Sequence, residues 1–221
     1  LTSANSINVA RWLPQLFYFL FAYKQLRHDH NHIAFSVPSG NFGNICAGMM
    51  AQQLGLPVTQ FIAANNENNV VTEYLKTQIY QPKPSVQTIS NAMDVGNPSN
   101  FVRIQEIYKN DFDSLSKHLS SFSFSDKQTK QAMDEIYSNY NYIADPHGAV
   151  GYLGCKAYLK SNPDTHCVFL ETAHPTKFLD VVEEVIDNQV DLPPQIQSVM
   201  DKEKVSIKID TYEDLKRYLL S

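Results

Sequence analysis

The sequence predicts an α/β protein built on a mostly parallel, twisted sheet with helices on both faces. Three observations carry that prediction. The runs Ile33-Ala34-Phe35-Ser36-Val37, Pro57 to Ala64 and Thr165 to Leu170 are short and almost wholly apolar, as strands covered on both faces must be. Stretches of helical character separate them. The first two runs end in turns rich in glycine or asparagine, on the rim where open parallel sheets place their ligands.

The elements follow in order. Ser6 or Asn8 can cap a helix running to about Leu26, with Pro14 tolerated near its first turns. Trp12, Leu13, Leu16, Phe17, Phe19, Leu20, Phe21 and Tyr23 go almost round it, so the sequence predicts burial on most faces, by the sheet and by a second subunit. His28-Asp29-His30-Asn31-His32 reads as a solvated turn rather than a metal site, because no further ligand cluster accompanies it. After the first strand, Ile45 to Leu54 is a helix ending at Gly55. After the second, Asn65-Asn66-Glu67-Asn68 caps a helix reaching about Lys76. Gln81 to Asn100 reads as an ordered loop, Phe101 to Tyr108 as a helix, and Asp111 to Gln131 as a small helical excursion. Helix resumes over Ala132 to Tyr140. A turn at Asp145-Pro146-His147-Gly148 leads into a helix over Ala149 to Lys160, and the third strand precedes a helix from Phe178 to Val185. A main α/β domain over 1–190 is thus expected, with a carboxyl-terminal strand and helix over 191–221. There Val205 to Ile209 alternates like a half-exposed strand, and Asp210 with Glu213 starts the last helix.

Composition narrows the function. The 221 residues carry a formal charge of −5 and no lysine/arginine run, which argues against nucleic acid. The longest apolar run, Leu16 to Tyr23, is far short of the ~18 residues of a membrane span. Cys46, Cys155 and Cys167 are scattered among apolar neighbours, as reduced buried thiols are, so a cytoplasmic protein is expected. Leu1 is no initiator methionine, and a fragment lacking its amino-terminal part is expected.

The stretch Val37-Pro38-Ser39-Gly40-Asn41-Phe42-Gly43-Asn44 carries the most chemistry. A strand, a glycine-bearing turn and a helix start form an anion cradle. Backbone N–H groups converge there, and the helix start adds roughly half a positive charge. Gly40 and Gly43, without Cβ atoms, let the backbone approach a phosphate closely. The same turn also serves packing alone, so the turn by itself leaves both readings open.

Other segments resolve the choice. Asn5 to Arg11, Pro38 to Asn44, Ala64 to Asn68, Ala92-Met93-Asp94, Ser99 to Arg103 and Thr172-Ala173-His174-Pro175-Thr176-Lys177-Phe178 occur in the order found in threonine synthase, and the chain resembles that family from about Ser3 to Phe178. The resemblance implies the tryptophan-synthase-β-like fold, incomplete here, and pyridoxal 5′-phosphate as cofactor. It implies that Gly40, Asn41, Phe42, Gly43 and Asn44 hold the cofactor phosphate and that Thr172 lies beside the pyridine nitrogen. A neutral hydroxyl there limits the cofactor's electron-sink character. Asn5, Ser6 and Arg11 match the part that holds the substrate phosphate, where a guanidinium fork suits the anion. Thr172 could instead cap the next helix, Arg11 could serve a structural ion pair, and Asn8 could be a buried cap. Glu67, Asp94, Arg103 and His174 are assigned no catalytic role; Glu67 reads equally as a cap, Arg103 as a partner for a carboxylate.

The implied reaction converts O-phospho-L-homoserine and water to L-threonine and phosphate. Phosphate leaves from Cγ and water adds at Cβ. The family's Schiff-base lysine has no counterpart here: Lys24, Lys76 and Lys83 stand in other contexts. The chain therefore reads as the carboxyl-terminal part of the enzyme, inactive without its amino-terminal part, and monomer and homodimer both stay open. Two alternatives accompany this reading: a related phospho-lyase that releases 2-oxobutyrate, and a non-catalytic phosphate-binding module.

Overall fold

The structure, a computed structural model, describes residues 5–28, 32–200, 202–203 and 205–221. The chain divides into two compact units, Leu1–Val190 and Asp191–Ser221. In the first unit four strands, β1 (Ile33–Pro38), β2 (Gln60–Asn65), β3 (Leu119–Ser123) and β4 (His166–Phe169), form one sheet in the order β3-β2-β1-β4. Every neighbouring pair is parallel, with Val37 opposite Ala63, Ser36 opposite Phe169 and Ala64 opposite Phe122. The two central strands are buried at every position, which explains their largely apolar character.

Helices α1 (Val9–Trp12) and α2 (Leu16–Leu26) precede the sheet, and α3 (Gly43–Gln53) and α4 (Val70–Thr77) follow β1 and β2. Next come α5 (Phe101–Ile107), α6 (Phe112–Ser116), α7 (Asp126–Tyr140), α8 (Pro146–Leu159) and α9 (Leu179–Ile186). The core under α2 is aromatic: Phe19 meets Phe35 and Phe61 edge-on at 5.2 and 5.7 Å, and all three rings are fully buried.

Several expectations are corrected. The first helix is not continuous, because a 3-10 turn over Leu13–Gln15 interrupts it at Pro14, whose ring and missing N–H break the α ladder. Nor is it buried on most faces. Leu16 and Phe19 are covered, but Phe17, Tyr18 and Phe21 stay more than half exposed in this chain. The 111–131 excursion is not purely helical, since it contains β3. Serines at 120, 121 and 123 mask the strand's alternation, yet Ser121 Oγ donates to the Ala63 carbonyl at 3.0 Å, and its hydroxyl pairs with that of Thr72 at 2.7 Å. Bonded serines can sit in an edge strand where free ones would be costly. The Asp145 turn is the start of α8, with Asp145 as N-cap and Pro146 as first residue.

The second unit holds α10 (Pro194–Met200) and α11 (Tyr212–Leu220). Val205 to Ile209 forms no strand. Val205 is 93% exposed, and an alternating run without a partner strand does not hold itself together. The last helix is capped by Thr211, which accepts from Asp214 N, not by Asp210.

Candidate active site

The carboxyl ends of β1 and β2 deliver Pro38 and Asn65 to one rim, where Asn65 Nδ2 donates to the Ser39 carbonyl at 2.8 Å. Beyond them opens a cleft of about 780 Å³. That volume lies within the usual range for small-molecule sites. Gly40, Asn41, Phe42, Gly43 and Asn44 line it together with Thr172, Ser6 and Arg11.

The glycine turn is built differently from the sequence expectation. Its left-handed residue is Phe42, at φ 61°, not a glycine. That conformation costs about 1 kcal/mol, and the buried Phe42 ring, packed edge-on against Phe101 at 5.8 Å, offsets it. Gly40 is required for another reason. A Cβ there would stand 2.7 Å from Met93 Cα and 2.8 Å from the Ala92 carbonyl oxygen, so the 91–93 segment is seated directly on the turn.

Side chains fasten this cradle and leave its backbone donors unspent. Asn41 Nδ2 donates to Ser6 Oγ, and Asn41 Oδ1 accepts from Ser99 N and Oγ at 2.6 and 2.9 Å. Asn44 Nδ2 donates to the Pro38 carbonyl at 2.8 Å, tying the start of α3 to the end of β1. Asn100 Nδ2 donates to the Asn41 carbonyl at 2.9 Å. Yet the backbone N–H groups of Gly40 through Asn44 donate to no described acceptor. Five consecutive free donors at the start of an eleven-residue helix are what a phosphate needs.

The 81–100 loop is held by a polar knot. Asp94 Oδ1 accepts from Asn66 Nδ2, Asn68 Nδ2 and Thr88 Oγ1 at 2.9, 3.1 and 2.7 Å, and Oδ2 accepts from Thr88 N at 3.0 Å. The asparagines thus fix this loop rather than cap α4, which starts only at Val70 with no side-chain cap. Glu67 is exposed and outside the knot. Replacing Asp94 by asparagine sets an N–H₂ group against a donor. Hydrogen exchange across 86–94 is then expected to accelerate by about tenfold or more, for a loss of about 1–3 kcal/mol. Unchanged exchange would show that the knot does not hold the loop.

The other candidate residues separate. Asn5 lies outside the cleft lining and accepts from Ile7 N at 3.0 Å, while Asn8 caps α1 through Ala10 N. Arg103 donates to the Ile7 carbonyl at 2.7 Å and to Asn100 Oδ1, and lies over the Trp12 ring, so it braces the 5–8 segment rather than a carboxylate. His174 caps the following 3-10 turn by accepting from Thr176 N, so Thr172 is not that cap. Sequence reasoning missed Trp12, His147 and Glu171, which also line the cleft. The Asp-Pro pair, an N-cap followed by proline at the first helical position, was the signal that His147 sits on a helix start. No lysine lines the cleft among the described residues. Asp29, His30 and Asn31 of the histidine turn lie outside the described residues, and among those described no metal-binding cluster occurs. No described helix is long and apolar enough to cross a membrane.

Cys46 and Cys155 are buried, Cys167 is half-buried, and all three are free thiols. Burial, opposed by the Arg103 charge, pushes the Cys46 thiol up to about 12, which keeps it unreactive.

The family model "Threonine synthase, C-terminal" matches residues 148–219. The threonine synthase of Haemophilus influenzae is 40% identical over 222 residues, covering 100% of this chain and 51% of that protein. The crystal structure of threonine synthase from Escherichia coli superposes with a TM-score of 0.90 at 38% identity, over 100% of this chain and 51% of that one. The PLP-bound threonine synthase of Brucella melitensis gives 0.89 at 30% identity, over 99% and 52%. The chain spans about half the length of the curated relatives it matches. Its fold is that of the tryptophan-synthase-β-like enzymes that use pyridoxal phosphate. Within that class the chain matches the carboxyl-terminal portion of threonine synthases over its whole length.

Proposed function

We propose that the chain works as the carboxyl-terminal part of a threonine synthase, converting O-phospho-L-homoserine and water to L-threonine and phosphate. The row of unspent N–H groups from Gly40 to Asn44 carries this reading, because it offers a phosphate five donors at a helix start. Thr172, in the lining of the same cleft, is the hydroxyl assigned to the pyridine nitrogen. Bound pyridoxal phosphate supplies the electron sink for proton removal at Cα and Cβ. Ser6 and Arg11, also in the lining, are assigned to the phosphate that leaves the substrate, Arg11 by its guanidinium fork. Asn5 is assigned to that anion through the turn it stabilises.

The group that condenses with the cofactor is assigned to an amino-terminal part of the same enzyme. Two features support that: no lysine lines the cleft among the described residues, and Tyr18 and Phe21, more than half exposed, are part of its lining. A chain beginning at Leu1 is therefore expected to give no visible cofactor band that borohydride fixes to the protein; a stable fixed band would contradict this assignment.

Product analysis of the full-length protein with O-phospho-L-homoserine tests the activity. Threonine is the expected product. 2-Oxobutyrate instead would mark a phospho-lyase, and no turnover by a protein that still binds phosphate would mark a binding module.

A further inference from the structure

The first turn of α8 contains a group of ionisable side chains that the proposed reaction does not use. Asp145, fully buried, accepts through Oδ1 from His147 N at 2.8 Å and pairs with His147 Nδ1 at 2.6 Å. The histidine is 2% exposed and its ring tilts against Phe178 at 5.0 Å. An ionised Asp145 requires the hydrogen on Nδ1, so the ring has one tautomer and one orientation. Asp145 Oδ2 and His147 Nε2 are buried with no hydrogen-bond partner among the described residues. An orphaned carboxylate oxygen in a fully buried position is costly.

Glu171, the residue before Thr172, approaches the same helix start and interacts with Asp145. Its carboxyl stands so close to α8 that a Cβ on Gly148 would lie 2.2–2.4 Å from it. Tyr142 and Asp145 are the titratable groups against it. Two ionised carboxylates cannot share this place. One proton resolves both problems at once.

We infer that Glu171 is a positioning residue: its carboxylic acid donates a hydrogen bond to Asp145 Oδ2 and so docks the Glu171-Thr172 turn against the start of α8. The Thr172 hydroxyl is thereby held at its place in the cleft, and the partnerless buried oxygen acquires a donor. Burial of the carboxyl first, then the Asp145 carboxylate, push Glu171 up to about 9, although the residue as a whole is exposed. Burial also pushes Asp145 upward, but the bonds from His147 and Glu171 outweigh it and leave its carboxyl below the ordinary range. The sign follows. A carboxyl raised in the docked state stabilises docking fully below its ordinary pKa, progressively less as pH rises, and no longer beyond about 9.

The inference rests on the cofactor reading, and two measurements on the full-length protein separate them. Carbon-13 NMR of the Glu171 carboxyl, without ligand, is expected to show a midpoint near 9. Binding of pyridoxine 5′-phosphate, which has no aldehyde, is expected to weaken by about tenfold or more between pH 7 and 10. Glu171→Gln keeps a donor for Asp145 and is expected to hold its affinity at pH 7 and remove that extra loss. Glu171→Ala is expected to have the weakened affinity already at pH 7. Gly148→Ala leaves the carboxyl in the chain but displaces it, so the midpoint is expected to return toward that of an ordinary glutamate. An ordinary midpoint with normal binding overturns the inference alone, as does an alkaline loss that persists in Glu171→Gln. A high midpoint with no binding at pH 7 overturns the cofactor reading and the positioning role with it.

Discussion

Replacing Gly40 by valine is expected to weaken pyridoxal phosphate binding by about a hundredfold or more. The atoms a side chain would meet, Met93 Cα and the Ala92 carbonyl, are backbone, and Asp94 fastens their segment through four hydrogen bonds. Neither side can give way cheaply, so the turn itself must move. Losing alignment of two charge-assisted hydrogen bonds costs about 3 kcal/mol, and 1.4 kcal/mol is a factor of ten. The strain of overpacking, about 1–3 kcal/mol, also lowers stability, so affinity is to be measured by calorimetry on protein that circular dichroism shows to be folded. Wild-type affinity in such a protein would mean that the phosphate lies elsewhere.

Phe19→Ala is expected to cost about 3–5 kcal/mol of stability. Phe19 is fully buried and reaches from α2 to both Phe35 of β1 and Phe61 of β2. Truncation leaves a cavity between that helix and the two central strands, which close packing elsewhere prevents from collapsing. Urea denaturation should show a lower midpoint with an unchanged slope, and Phe19→Leu should recover most of the loss. A cost below about 1 kcal/mol would show that α2 contributes little to holding the sheet.

The parts of the fold that were legible in the sequence are those whose pattern is local. β1 and β2 announce themselves because burial on both faces demands a largely apolar run. β3 was hidden because its serines are satisfied by β2 and α4, partners far away in the chain. Val205 to Ile209 misled in the opposite sense, since alternation predicts a surface but not a partner to pair with. In the site, the phosphate cradle was legible as a strand, a glycine turn and a helix start. The reason for Gly40 was not, because it lies in the approach of residues 92–93 from half a hundred positions away. Asn41 and Asn44 belong to the cradle as its fasteners, a role visible only once Ser6, Ser99 and Pro38 are seen beside them.

The most direct test of the cofactor reading is an amide nitrogen–proton NMR titration of the full-length protein with pyridoxine 5′-phosphate. The N–H resonances of Gly40, Asn41, Phe42, Gly43 and Asn44 are expected to move downfield together as their donors meet the phosphate. They should stay unmoved in Gly40→Val at the same ligand concentration. Saturable binding that leaves these five resonances in place would contradict the account.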